Sequence, residues 1–330
     1  MARMPAIRRL LPSATAVLLL VSAAGAAQAQ TKGLVPNVKT PYPIPKVRIA
    51  ISNLLIGRIN PLGLEDQLRV GVLKRLYVDS APALRDNYVG ISLAPRLSPA
   101  YVKVGPSFEL QPLSVLNLRF TAELMQWFGT FNTLQSFGSP LDPYSDTDLR
   151  RGNEAGRAYR PSGVHVFFEP TVQLRFGPVA FRNRLSIEWW HMSLRPGDTS
   201  FYDISLDTMI QNGGVVIAND MDLLYLHRFA RWPTTQLAVG VRYSAVQPLY
   251  TPSAYREGED PNVNPNGQQR LGPILALTFF DRGYINFNKP TLLLIVNWYA
   301  QHRWRTGADV SAGVPYLAIG FAFTSDLIPK

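Results

Sequence analysis

Cysteine is absent from all 330 residues, so neither a disulfide framework nor a thiolate metal site is available. Histidine is scarce. The four present, His165, His191, His227 and His302, form no HExxH and no i, i+4 pair, so no metal site and no cofactor are expected. Past residue 30, no apolar run approaches the roughly 20 residues of a spanning helix. A sustained 3.6-residue apolar stripe is missing too, which argues against a helical fold. The formal charge is +10, from 33 Lys+Arg against 23 Asp+Glu. Zinc-finger, helix-turn-helix and RNP-like patterns are all lacking, so the surplus points away from nucleic acid and toward anionic lipid or anionic solutes.

What is present begins with an export signal. Arg3, Arg8 and Arg9 form a basic n-region, Leu10 to Ala27 an apolar stretch, and Ala27-Gln28-Ala29 a small-x-small cleavage pattern. Residues 1–29 are therefore expected to be a cleaved signal peptide. They carry three of the basic residues and no acid, leaving +7 on the remainder. No cysteine follows the cleavage pattern, which excludes a lipoprotein anchor. Residues 30–45 contain the Pro-rich stretch TKGLVPNVKTPYPIP and are expected to form a periplasmic tail, with residues 46–330 as a single domain.

The domain's signature is period-2 alternation over about ten residues. Val164, Val166, Phe168, Pro170, Val172, Leu174 and Phe176 share one face, and His165, Phe167, Glu169, Thr171, Gln173 and Arg175 the other. Residues 67–75, 102–110, 116–124 and 236–244 repeat the pattern. Soluble strands average five or six residues, whereas ten or more suits a tilted membrane strand. Aromatic residues gather at strand ends (Tyr77, Tyr88, Trp127, Trp189, Trp190, Trp232, Trp298, Trp304), where interfacial girdles belong.

Twelve strands are predicted, near 46–56, 65–77, 87–97, 100–111, 115–129, 163–176, 179–194, 213–228, 234–248, 270–282, 291–305 and 314–324. Long connections (130–162, 195–212, 249–269, 306–313) alternate with short ones such as Gly177-Pro178. With both termini in the periplasm, the long loops face outward. The expected fold is an all-β, single transmembrane antiparallel up-and-down barrel of about 12 strands. Loops 130–162 and 250–268 read as solvated. Residues 201–210 also alternate and are expected either to form an extra hairpin above the membrane or, if they span, to change the strand count.

In these features the chain resembles the bacterial outer-membrane β-barrel proteins over nearly its whole length past the signal. The resemblance implies residence in the cell outer membrane, with outer-membrane lipid and lipopolysaccharide as partners. Such chains usually end on an aromatic residue of the last strand. Here Phe321 and Phe323 lie in that strand and Thr324–Lys330 follow as a tail.

Placing apolar positions against lipid sends Arg48, Arg69, Lys103, Arg119, Arg175, Arg182, Arg184, Arg242 and Arg303 inward, with Glu109, Glu123, Glu169, Glu188, Asp220 and Asp222. One reading is a water-filled, anion-favouring passage for small solutes, since lumen Arg tunes selectivity toward anions. The other is a barrel closed by pairing among those charges, because twelve strands enclose less than sixteen, serving as a structural or surface-interaction protein through loops 130–162 and 250–268. A third possibility lies at the rim, where His191 and Ser193 share the outward face beyond Trp189. This His-x-Ser pair resembles the outer-membrane phospholipase A and lipid A deacylase families. It implies His191 as base, Ser193 as nucleophile and Asp203 as orienting group, although Leu194 and Arg195 follow Ser193 in place of those families' Asn. Asp142, Asp146 and Asp148 lack the DxDxDG spacing and read as a solvated acidic stretch.

Overall fold

The computed structural model describes residues 45–130 and 134–327. The expected signal peptide, and the Pro-rich segment up to residue 44, lie outside the described residues. Alternating β-branched, aromatic and polar residues favour extended pairing. The chain forms β1 (Val47–Ile59), β2 (Gly63–Lys74), β3 (Tyr88–Leu93), β4 (Arg96–Leu97), β5 (Tyr101–Val104), β6 (Pro106–Leu113) and β7 (Leu116–Trp127). Next come β8 (Ser136–Phe137), β9 (Ser162–Phe176), β10 (Val179–Met192), β11 (Ser200–Asp203), β12 (Thr208–Gln211) and β13 (Val215–Arg228). The last four are β14 (Gln236–Leu249), β15 (Gln268–Thr278), β16 (Asn288–Gln301) and β17 (Tyr316–Asp326).

β3 with β4, and β5 with β6, each act as one bent strand, so the large sheet is a closed barrel of twelve strands. Closure is made by β1 against β17, in antiparallel register from Ala50↔Asp326 to Ile59↔Leu317. Closure leaves no unpaired edge, which is what a sheet surrounded by hydrocarbon requires. Strands of 12 to 15 residues predominate, and at the usual tilt of about 45° these cross roughly 28–35 Å. The bend between β5 and β6 falls at Gly105. A Cβ there would sit 1.8 Å from the Ala122 carbonyl oxygen, so only glycine permits that close approach.

Faces alternate as the pleat demands. Phe120, Leu124, Phe168, Ile187, Leu223, Tyr225, Leu271 and Ile319 are exposed outward, an apolar belt suited to lipid. Trp189 and Trp298 lie on the outward face toward the long-loop end, their indole N–H groups donating to Gly213 O (3.0 Å) and Gly313 O (3.3 Å). The inward face is not uniformly polar, contrary to the sequence expectation. Ile274, Ile295, Tyr299, Tyr316 and Ala318 bury one another there, with Ile56, Leu224 and Leu293 against them. These side chains line the lumen beside β15–β17, and the ion-paired wall runs mainly over β2–β14, with Arg48 of β1 and Asp326 of β17 pairing at the end away from the loops.

The long-loop end is folded rather than solvated, a second difference. Residues 201–210 do form a hairpin, β11–β12, joined to β8 in a three-stranded sheet separate from the barrel. The hairpin packs into the barrel mouth and does not join the barrel sheet. Phe201 and Ile210 pack against Tyr101, Met125, Trp127, Trp190, Val216 and Val246 from the inner wall. Beside them, Phe137, Tyr144, Leu149, Tyr202 and Met209 form a second apolar cluster, reached by helix α1 (Asp146–Glu154), whose N-cap is the Ser145 hydroxyl. Two strand ends also differ from expectation. β16 stops at Gln301, and β17 continues through Asp326, so Thr324–Asp326 are strand and not tail.

Candidate functional site

The lumen wall is a lattice of ion pairs. Arg69 and Arg119 both reach Glu109 Oε1, at 2.9 and 3.0 Å, and Arg119 continues to Glu169 at 2.7 Å. Arg184 joins Glu169 (3.6 Å) to Asp220 (2.6 Å). Asp222 takes Arg182 at 2.5 Å and Arg242 at 2.6 Å. At the opposite end from the loops, Arg48 pairs with Asp326 at 3.2 Å and lies over the Tyr284 ring.

Exposure within these pairs is one-sided. The Arg182 and Arg184 side chains are 45% and 48% exposed, against 0% for Asp222 and 18% for Asp220. Arg69 and Arg119 are likewise more exposed than Glu109 (29% and 20% against 7%), and Arg48 more than Asp326. The arginine side chains reach water while the carboxylates stay against the wall, as long and short side chains on one surface do. Paired charges therefore still present a positive face to the lumen.

Toward the loop end the wall becomes sealed. His165, buried on β9, places Nδ1 3.1 Å from Glu123 and Nε2 3.0 Å from Glu188. Its ring stacks on Trp190, with centroids 3.7 Å apart. Arg96 meets Glu123 at 3.0 Å. The buried Lys103 ammonium rests over Tyr101 and Trp190, at 4.7 and 4.5 Å from the ring centroids, and Tyr101 donates to Glu65. Above this layer sits the β11–β12 hairpin.

One buried carboxylate fastens the hairpin. Asp207, in the tight turn, accepts from Arg305 Nε at Oδ2 (2.5 Å) and from Nη2 at Oδ1 (2.9 Å). The Tyr202 and Tyr299 hydroxyls donate to it as well, at 2.8 and 3.1 Å. His302 Nδ1 accepts the Trp304 and Arg305 backbone N–H groups, which leaves Nε2, 3.2 Å from Asp207 Oδ2, to carry the proton. Burial raises the Asp207 carboxyl, but Arg305 and His302 outweigh it and hold the group well below the usual carboxylate range. Arg305 also grips Asp146 of α1 bidentately, both contacts at 3.0 Å, and Asn60 at 2.6 Å. Arg58 donates to the hairpin-tip carbonyls of Ile204 (2.9 Å) and Ser205 (3.1 Å).

Several residues singled out from the sequence lie elsewhere than expected. Arg303 follows the end of β16 and donates to the Leu141 and Asp142 carbonyls (2.6 and 3.1 Å), tying loops together outside the lumen wall. Arg175 sits at the terminal-side rim, bonded to Gly177 O at 2.9 Å. Lys103, Glu123 and Glu188 are inside the sealed layer, away from water. His191 and Ser193 are exposed, with the His191 ring parallel to Trp189. Asp203 is buried in the hairpin, its Oδ1 accepting from Leu206 N at 2.8 Å and from the Ser205 hydroxyl. The outward strand face carries the first of these residues and the plug carries the last, so the three do not assemble. The acidic stretch is not free either, because Asp142 pairs with Arg256 (2.5 Å), Asp146 with Arg305 and Asp148 with the Ser145 cap.

Glu65 and Arg96 were absent from the sequence reading; Glu65 shares inward parity with Arg69 on β2, whereas Arg96 is placed by its register opposite Lys103. Asp207, Arg305 and Arg58 carry no such signal, because contacts between segments far apart in sequence place them, 98 residues for Asp207–Arg305 and 147 for Arg58–Ser205.

No family model matches the sequence, and no curated protein matches it. Solved structures do. The β domain of the Bordetella autotransporter BrkA overlaps with a TM-score of 0.44 at 10% identity, covering 85% of this chain and 99% of that one. The translocator domain of the autotransporter NalP from Neisseria meningitidis gives 0.41 at 9%, covering 94% and 96%. The KdgM porin gives 0.36 at 8%, covering 85% and 100%. At this level of overlap the functional reading rests on the chain's own geometry.

Proposed function

We propose that the protein is an outer-membrane channel for small anionic solutes that rests closed at its outer mouth. The observation that carries this reading is the one-sided exposure of the lumen pairs. In each of them arginine meets the water, so a mobile anion finds donors along the wall while a cation finds few free carboxylate oxygens. The charged wall continues into a layer covered by the β11–β12 hairpin, and displacement of the hairpin would join the lumen to the outside. Conductance of the refolded barrel in a planar bilayer tests both parts. The wild type should open rarely, whereas Arg305→Met should give frequent, anion-favouring steps, and adding Arg182→Glu with Arg184→Glu should move selectivity toward cations. A folded Arg305→Met barrel that stays silent would make this a permanently closed barrel instead.

A further inference from the structure

Three arginines at the rim differ from those of the lumen. Arg157, Arg160 and Arg195 are exposed, and among the described residues no carboxylate oxygen lies within 4.0 Å of any of them. Arg157 and Arg160 lie in the segment that enters β9 and Arg195 in the one that leaves β10, and β9 is flanked by β10 and β7. Arg160 precedes β9 by two residues, and its carbonyl accepts from Gln126 Nε2 at 3.2 Å, which fixes it to the end of β7. Arg195 follows β10 by three residues. Its Nη2 donates to Gly156 O at 3.1 Å, and its guanidinium lies 4.9 Å from the Tyr159 ring centroid. The Tyr159 hydroxyl in turn donates to Ser193 O at 3.4 Å. The segment bearing Arg157 and Arg160 is thus held against the end of β10. Directly below, the outward face of these strands exposes Leu124, Phe168, Ile187 and Trp189.

A basic group without ion pairs, at the ends of strands whose outward face is apolar, matches an amphiphile with anionic headgroup and acyl chains. Guanidinium favours phosphate through paired N–H donors. Nearby acids do not cancel the cluster. Glu154 is exposed at the end of α1, and Asp198 is engaged by the Ser136 hydroxyl. We infer that Arg157, Arg160 and Arg195 form a binding site for the phosphate groups of an outer-leaflet glycolipid. The inference rests on the outward placement of the long loops in the reading above, but not on conduction.

Native mass spectrometry of the full protein in detergent tests it, with bisphosphorylated lipid A as the probe and its dephosphorylated form as the comparison. Wild type should retain the phosphorylated lipid about tenfold more than Arg157→Gln/Arg160→Gln/Arg195→Gln. The control Arg150→Gln/Arg151→Gln, on exposed α1 positions, should match wild type. Unheated electrophoretic mobility checks folding of each variant, and Arg195→Gln alone supplies a milder change with a partial loss. Equal retention by the triple variant, or equal retention of the dephosphorylated lipid, would overturn the site. Displacement of the lipid by millimolar inorganic phosphate would also overturn it, in favour of a free-anion site. A barrel that binds lipid A yet never conducts would keep this inference and remove the channel.

Discussion

Asp207 and Arg305 are joined by two hydrogen bonds, 2.5 Å from Nε to Oδ2 and 2.9 Å from Nη2 to Oδ1, both groups being buried. The pair connects the hairpin turn to the last long loop, and through Asp146 and Asn60 it reaches α1 and the β1–β2 turn. Breaking a buried ion pair typically costs about 3–5 kcal/mol, and the remaining partners of Asp207 (Tyr202, Tyr299 and His302) place this one at the lower end. Arg305→Met should therefore release the plug by about that amount. Hydrogen–deuterium exchange should show residues 200–211 losing protection while the barrel strands keep theirs. Asp207→Asn, which leaves an acceptor in place, should show a smaller loss, and the double variant should cost less than the sum of the two.

The same pair sets an expectation for pH. The folded-state carboxyl of Asp207 lies below its ordinary value of about 3.9. A depressed acid contributes stability that is fully present above its unfolded pKa and lost as pH falls toward the folded one. Protection of residues 200–211, corrected for intrinsic exchange rates, should thus be flat from pH 8 to pH 5 and weaken only in acid below about pH 4. A midpoint near pH 6 would assign control of the plug to histidine instead.

The barrel was legible because alternation is a local property. Each residue's face follows from its parity once the strand is recognised, and the twelve predicted spans overlap the twelve observed strands. The plug was only half legible. Phe201–Ile210 announce a hairpin by their own alternation, but its burial depends on Trp127, Trp190 and Val216, which are brought together from three different strands. The apolar inner wall at Ile274 and Ile295 was missed for a related reason. Leu275 and Leu294 on the outward face are also apolar, so these strands lack the contrast that parity needs. Arg303 shares inward parity with Tyr299, yet the strand ends two residues before it, and strand ends are fixed by long-range contacts.

Gly105 offers a test of closure. Any side chain at this position meets the Ala122 carbonyl at 1.8 Å, and neither backbone can retreat without breaking the β5–β7 ladder. Gly105→Val should lower the yield of the folded, heat-modifiable form several-fold. Gly156→Ala, in an open loop position with φ of +71°, should cost only about 1 kcal/mol and leave the yield intact.

The hairpin's apolar anchor is Phe201, fully buried beside Trp190, with ring centroids 6.2 Å apart. Truncating a buried Phe typically costs about 3–5 kcal/mol. Because Phe201 belongs to the plug and not to a barrel strand, Phe201→Ala should destabilise the mouth and spare the wall. Limited proteolysis should then cut within 195–214 at a faster rate, with the barrel fragments remaining associated.

Asp222 is the clearest place to separate charge from pairing. Its buried carboxylate serves Arg182 and Arg242 at once, at 2.5 and 2.6 Å. Asp222→Asn removes one negative charge and leaves two inward arginines facing a neutral amide. Stability should fall by about 1–3 kcal/mol, toward the lower end because Arg182 remains hydrated. In an unlatched background, reversal potentials should shift further toward anions. The same background carrying Arg182→Gln should shift the opposite way. If both substitutions leave selectivity unchanged, the exposed guanidinium groups do not set it, and the apolar wall at Ile274 and Ile295 becomes the feature that shapes the passage.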